Sequence, residues 1–448
     1  MTRMGYALIE LKNLVKHYTS RKGVVTKALN DLSLSFPSKG LVFILGKSGS
    51  GKSTLMNILG GLDIADSGEF IIEGKNIEGL SQVELDHYRN SHVGFVFQDF
   101  NIIETFSIYQ NIGLALQLQG QKADKHRIDE MLDFVGLKGY GKRKGNEVSG
   151  GQKQRIAVAR ALIKNPRIIL ADEPTGNLDS KTSDQIMQLL KKVAENNLVI
   201  VVSHDPEEAE VYADRIIRIK DGKLAEDTGS KNSVFEARPF EMVHKHLGFV
   251  ASLKYGLNSI GKNKGQMLIT TFVISISLLF ANLLGSYLTF LFDPNPILNE
   301  MLGKDGLAYI MNDLQGYLSV SSSRDILIAM YIILVAVSYV FLSMSITRRR
   351  KQIGIFKALG GNTNDILRIF VWEGIVLTLF TWLFSSYLGY AYVLDTNIKF
   401  FMGMPLLQIN WYQIAINFVL LMVVMLGFII LMVLNTLKNN SVISILKK

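Results

Sequence analysis

The sequence predicts an α/β domain built around a phosphate-binding loop, followed by an all-α domain of four membrane-spanning helices. Three observations predict it. Near the N-terminus a glycine-rich loop separates an apolar, strand-like run from a helix-like run. About 120 residues further on, a second apolar run ends in two adjacent acids. Beyond residue 265 the chain is dominated by long stretches that carry no charge.

The first segment is Gly46-Lys47-Ser48-Gly49-Ser50-Gly51-Lys52-Ser53-Thr54, which follows the run Leu41-Val42-Phe43-Ile44-Leu45. Strand, glycine-rich loop and helix is the context a phosphate-binding loop requires. The glycines let successive N–H groups point inward, and the helix N-terminus adds positive potential. Lys52 is expected at the β- and γ-phosphates of ATP and Ser53 at Mg²⁺.

The second segment is Ile168-Ile169-Leu170-Ala171-Asp172-Glu173. Asp172 is expected to hold Mg²⁺, directly or through water, and Glu173 to orient or deprotonate the attacking water. Alone, an Asp-Glu pair at a strand end is an ordinary solvated pair. Its meaning comes from the order of segments around it.

That order resembles the ABC ATPase family over about residues 8–230. Val148-Ser149-Gly150-Gly151-Gln152 is similar to the family's signature, with valine in place of the usual leucine. The resemblance implies that Ser149, Gly150, Gly151 and Gln152 face the γ-phosphate bound by another copy. It further implies that Gln98 contacts Mg²⁺ and the membrane domain, and that Asp179 belongs to the loop linking two ATP sites. His204 then touches the γ-phosphate, and Tyr18 stacks on adenine. In these terms residues 1–226 form an α/β P-loop NTPase fold, the ABC nucleotide-binding domain. Glu173, His204 and Gln98 are its expected catalytic residues, and Ser53, Gln98 and Asp172 its expected metal residues. The stretches 95–101 and 172–179 are similar to the MacB and LolD branch.

Residues 227–265 are expected to be a linker leading into an amphipathic interfacial helix, since Leu247, Val250, Leu257 and Ile260 recur near one helical face. Spans are expected at 267–292, 326–347, 370–394 and 411–437. A spanning helix needs about 20 apolar residues, and a charge at its centre costs roughly 2.5–3.5 kcal/mol. Segment 293–325 has two basic and five acidic residues, whereas Arg348, Arg349, Arg350, Lys351, Lys357 and Arg368 follow the second span. The positive-inside rule therefore puts the second connection and both termini in the cytoplasm. Glu373, at the cytoplasmic entrance to the third span, reads either as a helix-end carboxylate within reach of water, which is favoured, or as a coupling or pairing residue.

The membrane part, 266–448, resembles FtsX-like permeases. The run 349–361 is similar to their cytoplasmic loop, so a short coupling helix is expected there, resting on the nucleotide domain near Gln98 through Ile353, Phe356 and Leu359. MacB-like proteins carry a sizeable outer domain between spans one and two. The short segment 293–325, with a short helix expected around 310–318, does not match it, which argues against a trans-envelope assembly.

Composition bounds the alternatives. The chain has no cysteine, which excludes disulfides and thiolate metal sites, and its seven histidines form no ligand pattern. The +9 net charge is concentrated beside apolar runs, which suits an anionic membrane surface and not a nucleic-acid groove. No secretory stretch opens the sequence, so the chain is expected to begin in the cytoplasm. In the family this chain resembles, each ATP site joins the loop of one copy to the signature of another, so one of each per chain implies a homodimer with two ATP sites, expected in the plasma membrane. The expected work is extrusion of an amphipathic peptide, lipid-linked molecule or toxin. The alternative is a signalling module controlling an outer partner such as a cell-wall hydrolase.

Overall fold

The computed structural model describes residues 4–5, 7–20, 23–229, 235–236, 242, 246–262, 264–292, 320–401, 411–439 and 442–446. Chain contacts divide it into two compact units. One comprises Met1–Ala251, Arg350–Ile366 and Leu437–Lys448, the other Ser252–Arg349 and Leu367–Thr436. The outer helix expected around 310–318 lies outside the described residues.

In the first unit a six-stranded sheet is built from β4 (Gly40–Leu45), β7 (Val93–Val96), β8 (Ile168–Asp172), β9 (Leu198–Ser203), β10 (Arg215–Lys220) and β11 (Lys223–Asp227). Its order is β11-β10-β4-β9-β8-β7, parallel except for the edge strand β11. The central strands read as near-continuous apolar runs, Leu41–Leu45 and Leu198–Val202, as strands of a parallel sheet packed on both faces do. A second, antiparallel sheet has the order β3-β2-β5-β6, from β2 (Ile9–Thr19), β3 (Val25–Phe36), β5 (Ser67–Ile72) and β6 (Lys75–Asn76). A two-residue pair, β1 (Met4–Gly5) with β12 (Phe235–Glu236), lies apart from both.

The helices of this unit begin with α1 (Lys52–Leu59), α2 (Gln82–His92), α3 (Ile108–Leu118) and α4 (Lys125–Phe134). They continue with α5 (Gly150–Leu162), α6 (Ser180–Ala194) and α7 (Pro206–Tyr212). Capping boxes start α2 at Ser81/Glu84, α3 at Ser107/Gln110 and α5 at Ser149/Gln152; each satisfies two otherwise orphaned donors. α5 is tied to its surroundings by buried polar side chains. The Gln154 amide donates to the Pro174 carbonyl at 2.7 Å, Arg160 to that of Asn101 at 2.7 Å, and Lys164, just past the helix end, to that of Arg89 at 2.7 Å.

After the expected interfacial helix, α8 (Phe249–Lys262), come four long helices. These are α9 (Lys264–Phe292), α10 (Val320–Arg348), α12 (Thr363–Phe401) and α13 (Trp411–Asn439), with the short α11 (Arg350–Ala358) after α10 and α14 (Val442–Leu446) closing the series. α11 forms where the basic loop predicts a helix, and Ile353, Phe356 and Leu359 are all buried. It belongs to the first unit. The Lys357 ammonium meets Asp86 at 2.6 Å, and the Arg89 Nε donates to the Lys357 carbonyl at 3.0 Å. Gly360 closes the helix with φ 88°, and its backbone lies so close to α2 that an added Cβ would fall 2.4 Å from the Asn90 nitrogen. A left-handed closing residue is the usual glycine C-cap, here combined with a close approach. α14 packs on α11, where a Cβ at Gly354 would come within 2.9 Å of Ile445 and 3.0 Å of Leu446.

In the second unit, three helices are long and apolar enough to cross a membrane among the described residues: Asp325–Arg348, Thr363–Tyr392 and Trp411–Lys438. The first expected span falls in α9, a helix of 29 residues, within which Thr271–Leu284 is a shorter apolar stretch. α9, α10 and α13 share a polar cluster. Asn417 donates to Asn282 and meets Tyr331, whose hydroxyl accepts from Gln413 at 2.7 Å. In an apolar surrounding such bonds hold helices together because an unpaired amide has no water to turn to. Of the two readings of Glu373, the structure supports pairing over the favoured exposed carboxylate: it meets Arg349, and both side chains are largely buried. A carboxylate removed from water keeps its charge by taking a cation as partner.

Two outcomes follow. Gly360→Val should cost about 1–3 kcal/mol from the left-handed backbone alone, read as a lower first melting transition of the full chain and faster amide exchange over 350–361. Burial, reinforced by the Arg89 and Arg160 cations, pushes the Lys164 ammonium from its usual 10.5 down to about 7. Between those values the unfolded chain holds a proton that the folded chain has released, so this lysine's contribution to stability rises with pH. Lys164→Met should therefore compare most favourably with the native chain near pH 7 and lose ground toward pH 10, measured as the difference between their melting curves.

Candidate functional site

The parallel register assembles the candidate site. Leu45 pairs with Ser203, Asp172 with Val202, and Val96 with Ala171. The segments leaving the carboxyl ends of β4, β9, β8 and β7 therefore emerge along one edge. They carry Gly46–Thr54 (residues 46–54), His204, Glu173 and Gln98 respectively. The crevice outside strand carboxyl ends is where open α/β sheets place ligands.

The loop after β4 curls through Gly49 at φ 80° and Gly51 at φ 104°. At Gly51 a Cβ would lie 2.3 Å from the Ala28 carbonyl oxygen, so only glycine fits. Lys52 starts α1 with its ammonium over the loop, donating to the carbonyls of Gly46 at 2.6 Å and Lys47 at 3.0 Å. Burial pushes this ammonium below its ordinary value, while Glu173 and Asp172 pull the other way.

At the end of β8, Glu173 adopts φ 43°, an uncommon conformation for a non-glycine residue. Its backbone N–H bonds the Val202 carbonyl at 2.9 Å, and its carboxylate lies 3.2 Å from the His204 Nδ1. Gln98 reaches the same place: its Nε2 would be 3.2 Å from a Cβ on Gly176, and the Glu173 Oε2 3.6 Å from that same point. The Asn177 amide donates to the Gln98 carbonyl at 3.2 Å.

Ser53, Gln98 and Asp172 line one cavity, together with Asn57, Asp99 and Asn101. A hydroxyl, an amide oxygen and a carboxylate make an oxygen donor set suited to a hard cation such as Mg²⁺. No group of three His, Cys, Asp or Glu side chains that could cage a metal occurs among the described residues.

Tyr18 stands beside Thr54, and its hydroxyl donates to Asp63 at 2.6 Å. Burial and that carboxylate push the phenol up to about 12. Tyr18 is 40% exposed, and the Lys16 ammonium lies 5.5 Å from its ring centre.

Residues 149–152, expected as the signature, stand in a different group. Ser149 caps α5, and at Gly151 a Cβ would meet Thr182 at 2.4 Å. Asp179 accepts from the Thr182 N–H at 3.0 Å and from its hydroxyl at 2.7 Å, which holds its carboxyl below the usual range. None of residues 149–152 lines the cavity shared by Ser53, Gln98 and Asp172.

Sequence reasoning missed several participants. Asp63 orients Tyr18 from a loop without a motif. Asp86 and Arg89 sit three apart on α2, a helix with few apolar residues whose last turns are nonetheless buried. A helix this polar and this buried signals a docking role, but burial is not readable from the sequence. Ile443 and Leu446, at the far end of the chain, line the cavity beside Gln98.

The family model described as "ABC transporter" matches residues 29–176, and the one described as "FtsX-like permease C-terminal" matches 326–441. The chain is 42% identical over 220 residues to the "Macrolide export ATP-binding/permease protein MacB" of Bdellovibrio bacteriovorus, a match covering 49% of this chain and 34% of that protein. It thus spans about a third of the length of the MacB relatives it matches. It is 40% identical over 235 residues to the "ABC transporter ATP-binding protein YxdL" of Bacillus subtilis, covering 51% of this chain and 90% of that one. Among solved structures it is similar to the dimeric post-hydrolysis state of the ATP-binding cassette MJ0796 bound to ADP and Pi. There the identity is 39% and the TM-score 0.46, over 52% of this chain and all of the other. With a glycine loop, paired acids and signature helix on one doubly covered sheet, and permease helices in the same polypeptide, the chain belongs to the ABC transporter family as a cassette fused to an FtsX-like permease.

Proposed function

We propose that this protein is an ATP-driven membrane transporter of the MacB-like class. It works as a homodimer in the plasma membrane, with its cassette in the cytoplasm, and extrudes an amphipathic peptide, lipid-linked molecule or toxin. The observation that carries the reading is the division of the site. Ser53, Gln98, Asp172, Glu173 and His204 gather on one sheet edge, while Ser149 and Gly151 stand with Asp179 and Thr182 in a separate group. A second copy presenting its signature would complete each ATP site, and a twofold pairing does this for both at once.

In this reading the loop N–H groups and Lys52 bind the phosphates, and Tyr18 offers its ring to adenine. Ser53, Gln98 and Asp172 would hold Mg²⁺, which supplies charge neutralisation at the phosphates. Glu173 orients or deprotonates the attacking water, with His204 at 3.2 Å fixing its carboxylate. α11 is the coupling helix, and the domains divide near 226 and 265. The alternative, an FtsX-type module that controls an outer partner, shares all of these parts. The MacB matches favour transport.

Glu173→Gln should retain ATP binding, lower turnover by about 10²–10⁴-fold and accumulate nucleotide-bound dimers by size-exclusion chromatography. Native turnover in that variant would remove Glu173 from the reaction. Lys52→Ala should weaken ATP binding by roughly 10–100-fold, the worth of one charge-assisted hydrogen bond; unchanged binding would count against the loop assignment. Phe356→Asp should leave ATP binding intact and abolish stimulation of the ATPase by substrate in nanodiscs. Retained stimulation would sink α11 as the coupling helix.

A further inference from the structure

The cassette buries several cations that the ATP site does not use. Arg89, Arg160, Lys164 and Lys357 are all nearly inaccessible to water, and Asp86 is the carboxylate among them. Arg160 and Lys164, one turn apart along α5 and its end, donate to backbone carbonyls. Burying a cation against a carbonyl is expensive, and apolar side chains of similar volume generally pack as stably. These groups therefore contribute something besides burial, and their connectivity indicates what.

α5 begins at the signature serine. At its other end the Lys164 ammonium holds the Arg89 carbonyl at 2.7 Å, and the Gln119 amide holds the neighbouring Asn90 carbonyl at 3.0 Å. The Arg89 side chain faces the opposite way. Its Nε donates to the Lys357 carbonyl at 3.0 Å, one nitrogen bonds Gly61, and the other pairs with Asp86, which also takes the Lys357 ammonium at 2.6 Å. The planar guanidinium holds its three partners in one fixed plane, whereas an ammonium's three donors rotate about a single flexible stem. Two hydrogen bonds in series thus join the end of α5 to the backbone of α11.

We propose that Lys164 and Arg89 are positioning residues that transmit movement of the signature helix to the docked helix α11, through the Lys164 Nζ–Arg89 O and Arg89 Nε–Lys357 O hydrogen bonds. The proposal rests on the reading of α11 as the coupling helix. Nucleotide held between two cassettes pulls on the N-terminus of α5, and the relay passes that displacement to α2 and to α11 without relying on the compliance of apolar contacts.

The test uses the full chain in lipid nanodiscs with Glu173→Gln as background, and reads amide exchange over 350–361 with and without ATP. ATP should change the protection of this segment. Lys164→Met and Arg89→Lys should each keep ATP affinity within about twofold and reduce the ATP-linked change by at least half. Lys164→Met should do so without a lower melting temperature near pH 7, which separates relay from scaffold. The double variant Lys164→Met/Arg89→Lys should lose no more than the stronger single one, because both interrupt one path. A full ATP-linked change in Lys164→Met, or additive losses in the double variant, overturns the relay while leaving the coupling helix standing. If ATP binds the background protein without altering 350–361 at all, the coupling-helix reading fails and the relay with it.

Discussion

Parallel pairing of four buried strands is the constraint on which the ATP site depends. Side chains alternate along a strand, so a slip of one residue between β4, β9, β8 and β7 would exchange the faces of the slipped strand. Both faces are packed, and Phe43, Ile44, Val201 and Leu170 are fully inaccessible. The same register that fills the core therefore sets the depth at which Gly46, His204, Glu173 and Gln98 leave the sheet. Packing energy spread over the domain is converted into ångström-scale placement of a few polar groups.

The residues at that edge then take on local costs that the sheet sustains. Glu173 sits in a left-handed conformation, and Gly51 accepts a backbone contact no other residue would permit. Such strain persists only where the surroundings over-determine the conformation. Here the Glu173 N–H is held by Val202 on the neighbouring strand.

The cassette's second specialised surface is α2. Its polar residues Asp86 and Arg89 are buried together with Lys357 of α11, and Lys164 beyond the end of α5 bonds the Arg89 carbonyl. α14 adds an apolar counterpart, packing on Gly354 while Ile443 and Leu446 stand beside Gln98. Segments on either side of α12 and α13 thus close onto the nucleotide-binding unit.

Much of this protein is legible in order and spacing alone. The phosphate loop, the acids after β8 and the signature are local, because each needs particular residues within one turn of chain. The long charge-free runs report helices of spanning length for the same reason. The short helix α11 after the basic run, and the burial of Ile353, Phe356 and Leu359, also follow from the local pattern. Tertiary structure decided what depends on separation in sequence. It seated Lys357 on Asp86 across 271 positions, set Asp63 under Tyr18, and paired Glu373 with Arg349, where the sequence left pairing and a carboxylate open to water as alternatives. A charged side chain's environment depends on which distant surfaces exclude water around it, and no local pattern encodes that.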